Sequence, residues 1–108
     1  MGKYVVSTAK NGQLMFNLKA DNGEIILTSE TYTSKAGCQN GINSVKENSN
    51  IDARYERKVT NNQKPYFVLK ATNGQIIGKS EFYSSNSAME NGIRSVKKNG
   101  PEAMVIGF

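Results

Sequence analysis

The sequence predicts an α+β protein built as a tandem repeat of β-β-β-α-β units. The two units form one mainly antiparallel sheet with two helices packed on one face. Three observations predict it. Residues 15–50 align without a gap on residues 66–101, with 19 identities in 36 positions, and a fixed internal period marks a duplicated structural unit. Each copy alternates apolar and polar residues on either side of an Asn-Gly pair, the pattern of a hairpin. Each copy then changes to a helical period with one apolar stripe.

The elements follow in order. "KYVVST" and "RYERKV" read as first strands, joined through "KNGQ" and "NNQK" to the second strands "MFNLKA" and "YFVLKA". In these, Phe16, Leu18 and Ala20 share one face, and Phe67, Leu69 and Ala71 match them. "DNGE" and "TNGQ" are two-residue hairpin turns, because Asn-Gly accepts the positive φ angles such turns require. Ile25 and Ile26, or Ile76 and Ile77, open third strands that end near Ser29 or Ser80. Ser34 and Ser85 are helix N-caps, each able to accept a bond from an unpaired first-turn amide. Cys38, Ile42 and Val45 form the buried stripe of the first helix, and Met89, Ile93 and Val96 that of the second. Lys97 and Lys98 favour the negative end of the second helix dipole, and Gly100 and Pro101 stop it. "AMVIGF", alternating Met104, Ile106 and Phe108, is a closing strand. Its counterpart in the first copy lies at residues 52–59, which are expected to close the first repeat and open the second as one long central strand. The chain is read as one compact domain, residues 1–108, of two repeats, 1–53 and 54–108.

Composition narrows the function. The chain contains no histidine and one cysteine, Cys38. Ser-His and Cys-His nucleophiles and the commonest transition-metal ligand are therefore excluded. Met89 stands opposite Cys38 in the repeat, so a core position is expected for both. No metal, cofactor or catalytic residue is assigned, and the protein is expected not to be an enzyme. Apolar runs such as that in "EIIL" fall far short of the roughly 20 residues of a membrane span. The start, "MGKYVVSTAK", shows no basic region followed by an apolar segment, so a secretory signal is not expected and a cytoplasmic location is. The net charge of +5 lies entirely in residues 54–108, where nine Lys and Arg face four Glu. A basic half attracts polyanions, although a charge of this size is also ordinary for a soluble surface.

The strings "NGEIILTSETYTSKAGCQNGINSVKENS" and "NGQIIGKSEFYSSNSAMENGIRSVKKNG" resemble the repeat of the YegP-like family of small bacterial proteins. The shared pattern is an NG hairpin, then SE-x-Y-x-S, then NGI-x-SVK-x-N. The resemblance covers nearly the whole chain, with one departure at Asn86, where the first copy has Lys35. It implies three strands, a helix and a strand per repeat, with C-terminal strands exchanged between repeats. It implies no activity, since that family's function is unknown.

Two groups of residues stand out as candidates. Asn-Gly recurs inside both helices, at 40–41 and 91–92, where glycine costs about 1 kcal/mol against alanine. On a helix Gly37, Gly41 and Ser44 align in a stripe of small residues, as do Ala88, Gly92 and Ser95. The two helices are expected to lie side by side and meet at these notches, related by an internal two-fold. The sheet face opposite the helices is expected to be open and to carry Lys19, Arg57, Lys58, Tyr66 and Lys70 as a candidate binding face. The SE-x-Y segments are expected to make local hydrogen bonds, a carboxylate-phenol acid-base pair being the other reading. A non-enzymatic interaction module with a protein or peptide partner is the first expectation. Weak, salt-sensitive nucleic-acid binding is the alternative. A monomer is expected, since the duplication supplies what a one-repeat protein would obtain by dimerising.

Overall fold

The computed structural model describes residues 2–108. In chain order the elements are β1 (Lys3–Thr8), β2 (Leu14–Lys19), β3 (Ile25–Thr28), α1 (Lys35–Asn48), β4 (Tyr55–Val59), β5 (Pro65–Lys70), β6 (Ile76–Lys79), α2 (Asn86–Asn99) and β7 (Met104–Ile106). The strands form one seven-stranded sheet in the order β4-β5-β6-β3-β2-β1-β7. Every pairing is antiparallel except β1 with β7. The repeats join at the centre, where Thr28 of β3 stands opposite Lys79 of β6. β7 leaves the second repeat and pairs beside β1 of the first, the strand exchange the resemblance implied.

Residues 52–59 depart from expectation. Asp52–Arg54 form a short 3-10 turn, and β4 is an edge strand paired only with β5. The cause is connectivity. By the 51-residue period the counterparts of Met104–Ile106 are residues 53–55, which run straight into β4. A strand cannot lie parallel to its own continuation, because a parallel pairing needs a crossover of a dozen or more residues. The exchange is therefore one-sided.

Local chemistry forms the caps and buried stripes as read, but the β2–β3 and β5–β6 hairpins are not two-residue turns. In them only Gly23 and Gly74 take positive φ, +84° and +87°, and their amides donate to the Ala20 and Ala71 carbonyls at 2.9 Å, so each loop has three residues and ends on a left-handed glycine. The Gly37 amide donates to Ser34 Oγ and the Ala88 amide to Ser85 Oγ, both at 3.0 Å, capping the helices. The stripes Cys38, Ile42, Val45 and Met89, Ile93, Val96 are buried against Tyr4, Phe16, Leu18, Tyr55, Phe67 and Leu69 of the sheet. Each helix covers its own second strand and the third strand of the other repeat, α1 over β2 and β6, α2 over β5 and β3.

The notches are not where the helices meet. A Cβ at Gly41 would lie 2.5 Å from Cζ of Tyr32, and one at Gly92 would lie 2.7 Å from Cζ of Tyr83. The glycines thus seat the tyrosine of their own repeat. The atoms nearest to a Cβ at Gly37 likewise belong to Ser34 and Tyr32. Ser44 and Ser95 are engaged within their helices, their carbonyls accepting from Asn48 and Asn99 Nδ2 at 2.8 and 2.9 Å. Ala88, the second-copy equivalent of Gly37, lines a cleft facing β3. A helix-helix seam at Gly37, Gly41, Ser44, Ala88, Gly92 and Ser95 is therefore replaced by a tyrosine seat and a cleft. The helices approach each other at their C-terminal ends, where a Cβ on Gly100 would lie 2.5 Å from Ser49 Oγ.

Those ends are clamped across the repeats. Tyr4 Oη donates to the Gly100 carbonyl at 2.6 Å, and Tyr55 Oη donates to the Ser49 carbonyl at 2.5 Å. Each first-strand tyrosine thus satisfies the otherwise unpaired C-cap carbonyl of the other repeat's helix. Burial pushes both phenols well above their ordinary value near 10. The fold favours the neutral form, so this contribution is complete below the unfolded-state pKa of about 10 and is lost as pH rises through the folded value. The melting temperature is expected to hold from neutrality to about pH 10 and then fall. Tyr55→Phe is expected to cost about 1–3 kcal/mol, by leaving a buried carbonyl unpaired, and to make the alkaline fall shallower. Thermal melts of both proteins across pH check it.

Candidate functional site

The side of the sheet away from the helices is uncovered. Its central row is fixed by strand register: Glu56, Val68, Lys79, Thr28, Asn17, Val5 and Ile106 stand side by side from β4 to β7. Lys3 and Lys19 are paired in the neighbouring row, and Lys58 is paired with Tyr66. Lys70 reaches Glu56 at 2.6 Å, and Lys58 reaches the same carboxylate at 3.8 Å. The hydrogen bond from Lys70 holds the Glu56 carboxyl below its ordinary range. Lys79 Nζ lies 5.3 Å from the Tyr66 ring centre and 5.2 Å from that of Phe82, two rings meeting edge to face at 5.4 Å.

Of the residues expected here, Lys19, Lys58, Tyr66 and Lys70 are on this face. Arg57 is not. It stands opposite the buried Phe67, on the helix side of β4. There its Nε and Nη2 donate to Glu90 of α2 at 2.6 and 3.1 Å, and Nη2 also reaches Asp52 at 3.2 Å. The phase of this strand is set by Tyr55, which turns inward to reach Ser49 and carries Arg57 with it. Lys3, Lys79 and Phe82 join the face without having been singled out. Alternation from the buried Tyr4 would have placed Lys3 outside, whereas Phe82, in a loop, gave no periodic signal.

Among the described residues the face therefore carries five lysines, Lys3, Lys19, Lys58, Lys70 and Lys79, against two carboxylates, Glu56 and Asp21, the latter bordering it beside Lys3 and Lys19. That is a local excess of +3 in a chain of net charge +5. The face is also apolar at one edge. Met104 and Ile106 are 58% and 41% exposed there, whereas Phe108, beyond the turn at Gly107 (φ +104°), lies beside Lys35, Ala36 and Gln39 of α1. The alternation of Met104 and Ile106 is that of a strand, but Ala103 and Val105 turn to the core instead.

On the helix side two clefts repeat one another. The first lies between α1 and the β5–β6 hairpin and the second between α2 and the β2–β3 hairpin, with volumes of about 650 and 280 Å³. Glu30, Tyr32, Asn40, Gly41 and Ser44 line the first from the helix side; Glu81, Tyr83, Asn91, Gly92 and Ser95 line the second. The Ser and Tyr of SE-x-Y have structural work. Ser29 Oγ accepts from the Phe16 amide at 2.8 Å and donates to the Glu30 carbonyl at 2.7 Å, and Ser80 does the same with Phe67 and Glu81. The tyrosine rings stack on Phe16 and Phe67. Cys38 is buried, and burial pushes its thiol up, away from the thiolate a nucleophile needs. Among the described residues no group of three or more Cys, Asp or Glu is placed to hold a metal ion, and no helix is long and apolar enough to cross a membrane.

Fold and surfaces together define a duplicated β-β-β-α-β protein with one open, basic sheet face and a pair of equivalent clefts. The family model described as a domain of unknown function, DUF1508, matches residues 9–56 and again 61–106. The chain belongs to this family, also called UPF0339 or YegP. It is 60% identical over 104 residues to a UPF0339 protein of Acinetobacter baylyi, covering 96% of this chain and 94% of that one. It is 56% identical over 105 residues to the UPF0339 protein YegP of Yersinia pestis, covering 97% and 94%. Two solution NMR structures share the fold. A UPF0339 protein from Shewanella oneidensis superposes with a TM-score of 0.90 at 56% identity, covering 96% of this chain and 88% of that one. The E. coli protein yegP, of unknown function, gives 0.91 at 50% identity, covering 96% and 90%.

Proposed function

We propose that this protein is a non-enzymatic cytoplasmic binding module that holds an anionic partner, single-stranded nucleic acid, on its open sheet face. One observation carries the reading: five lysines against two carboxylates, an excess of +3, lie on the sheet face away from the helices. Lysines there can track phosphates, while Tyr66 and the 54%-exposed Phe82, bracketed by Lys79, offer rings for stacking. The internal two-fold supports action as a monomer. A labelled single-stranded oligonucleotide tests this. With four phosphates engaged, log affinity against log salt should have a slope near about −3, so binding should weaken about 50-fold from about 50 to 200 mM salt. Reversing Lys58, Lys70 and Lys79 to Glu should abolish binding. Reversing Arg57, on the other side, should leave it unchanged. No binding at low salt would overturn the proposal.

The exposed Met104 and Ile106 favour a second reading, a peptide strand added along the β7 edge. Binding that persists in high salt and is lost on Ile106→Asp would select it.

A further inference from the structure

The two clefts carry an inference independent of the sheet face. Of eleven equivalent pairs of lining residues, nine are identical between the repeats, against 19 in 36 along the aligned stretch. Packing explains several of the nine. Tyr32 and Tyr83 stack on core rings, Gly41 and Gly92 seat them, and Asn22 and Asn73 accept the amides of Glu24 and Gln75 to shape the hairpins. Packing does not explain Glu30 and Glu81. Both are exposed, and neither carboxylate has a hydrogen-bond or ion-pair partner among the described residues. Asn40 is exposed in the same way. Tyr32 and Tyr83 are half-buried and line the clefts, and neither hydroxyl has a hydrogen-bond partner among the described residues.

The chemistry of the lining is one-sided. Among the described residues no Lys or Arg lines either cleft, in a chain with 14 of them. The first cleft holds one carboxylate, Glu30, and the second holds two, Glu81 and Glu24, because Glu24 replaces Gln75. After burial, the charges of Glu81 and Glu24 are what raise the Tyr83 phenol, so both lie near that hydroxyl. The opposite wall is aliphatic, with Ile76 42% exposed in the first cleft and Ile25 39% exposed in the second. The second cleft continues past Asn91 and Ser95 into a trough bordered by Arg94 and Lys98 with Asp21. The two glutamates stand at the other end, away from both cations.

We infer that the clefts are twin sites for a small aliphatic amine, one per repeat, with the ammonium at Glu30 or at Glu81 and Glu24 and the alkyl chain along Ile76 or Ile25. An ammonium donates only, and the linings offer carboxylate and hydroxyl acceptors beside an aliphatic wall. Asn40 adds an amide acceptor in the first cleft, whereas Asn91 in the second already accepts from Arg94 Nη2. The site beside α2 is the tighter, having two carboxylates against one. Putrescine is the probe, titrated into isotope-labelled full-length chain and followed by amide chemical shifts. The expected result is saturable shifts in two patches, Asn22–Ile26 with Asn91–Ser95 and Asn73–Ile77 with Asn40–Ser44, the first saturating earlier. Glu81→Gln, an exposed change that should leave the melting temperature alone, should weaken the first patch about tenfold, the loss of one charge-assisted bond, and leave the second patch untouched. Magnesium chloride at equal charge should not reproduce the pattern. Shifts that fail to saturate, that spread over Glu47 and Glu102 as well, or that are unchanged in Glu81→Gln would overturn the inference.

Discussion

Replacing Gly78 with Leu is expected to destabilise the protein by about 3 kcal/mol, the upper end of core overpacking. Leu27 and Gly78 are equivalent positions, 51 residues apart, and they meet at the β3–β6 junction. A Cβ on Gly78 would fall 2.6 Å from Cγ and Cδ2 of Leu27. A residue on a two-fold axis meets its own copy, and there is room here for one leucine side chain. The duplicated chain resolves the conflict by keeping leucine in one copy and glycine in the other. Leu27→Gly alone should also cost several kcal/mol, by opening a cavity. The double exchange, Leu27→Gly with Gly78→Leu, returns one large and one small residue to the axis. It should recover stability to within about 1 kcal/mol of the parent. Urea denaturation midpoints at unchanged m-value measure all three. A double variant as unstable as the sum of the singles would remove the axis from the explanation.

The same argument shows how far the sequence could be read. Strands, hairpins, caps and buried stripes were legible because each rests on local chemistry that the repeat displays twice. Ser34 and Ser85 cap, and Cys38 and Met89 face the core, as their spacing requires. What failed was long-range. The notch was read as a self-contact because it is the same in both copies. Yet the positions that do meet their equivalents, Leu27 with Gly78 and Ser49 with Gly100, are the unlike ones. Identity between copies was therefore evidence of a shared neighbour within each repeat, the SE-x-Y tyrosine. Of the candidate binding face, Lys19, Lys58, Tyr66 and Lys70 followed from strand alternation. Arg57 was misplaced because the phase of β4 depends on Tyr55 reaching a helix end that no local pattern announces. The apolar edge at Met104 and Ile106 was hidden for a related reason. The face a strand shows is set by its partner, and β7 takes its partner from the other repeat.

Gly92→Ala gives the cleanest test of the tyrosine seat, because two effects of opposite sign compete. In a helix interior alanine is favoured over glycine by about 1 kcal/mol. If the glycine were only a conformational weakness, the substitution would stabilise the protein. In the structure the added methyl collides with the Tyr83 ring at Cζ and Oη. That ring is held from behind by its stack on Phe67, 6.3 Å between centres at 10°. The ring cannot retreat without giving up that stack, so a net loss of about 2 kcal/mol is expected, repulsion exceeding propensity. Removing the obstacle should reverse the sign. In a Tyr83→Ala background, itself destabilised, Gly92→Ala should become neutral or stabilising. The coupling in that double-mutant cycle should then be about 2–3 kcal/mol, at the top of the range for residues in direct contact. The first repeat supplies an internal replicate, with Gly41→Ala and Tyr32→Ala expected to behave alike. If Gly92→Ala destabilises equally with and without Tyr83, the glycine is reserved for something other than the tyrosine, and the helix-helix seam returns as the explanation.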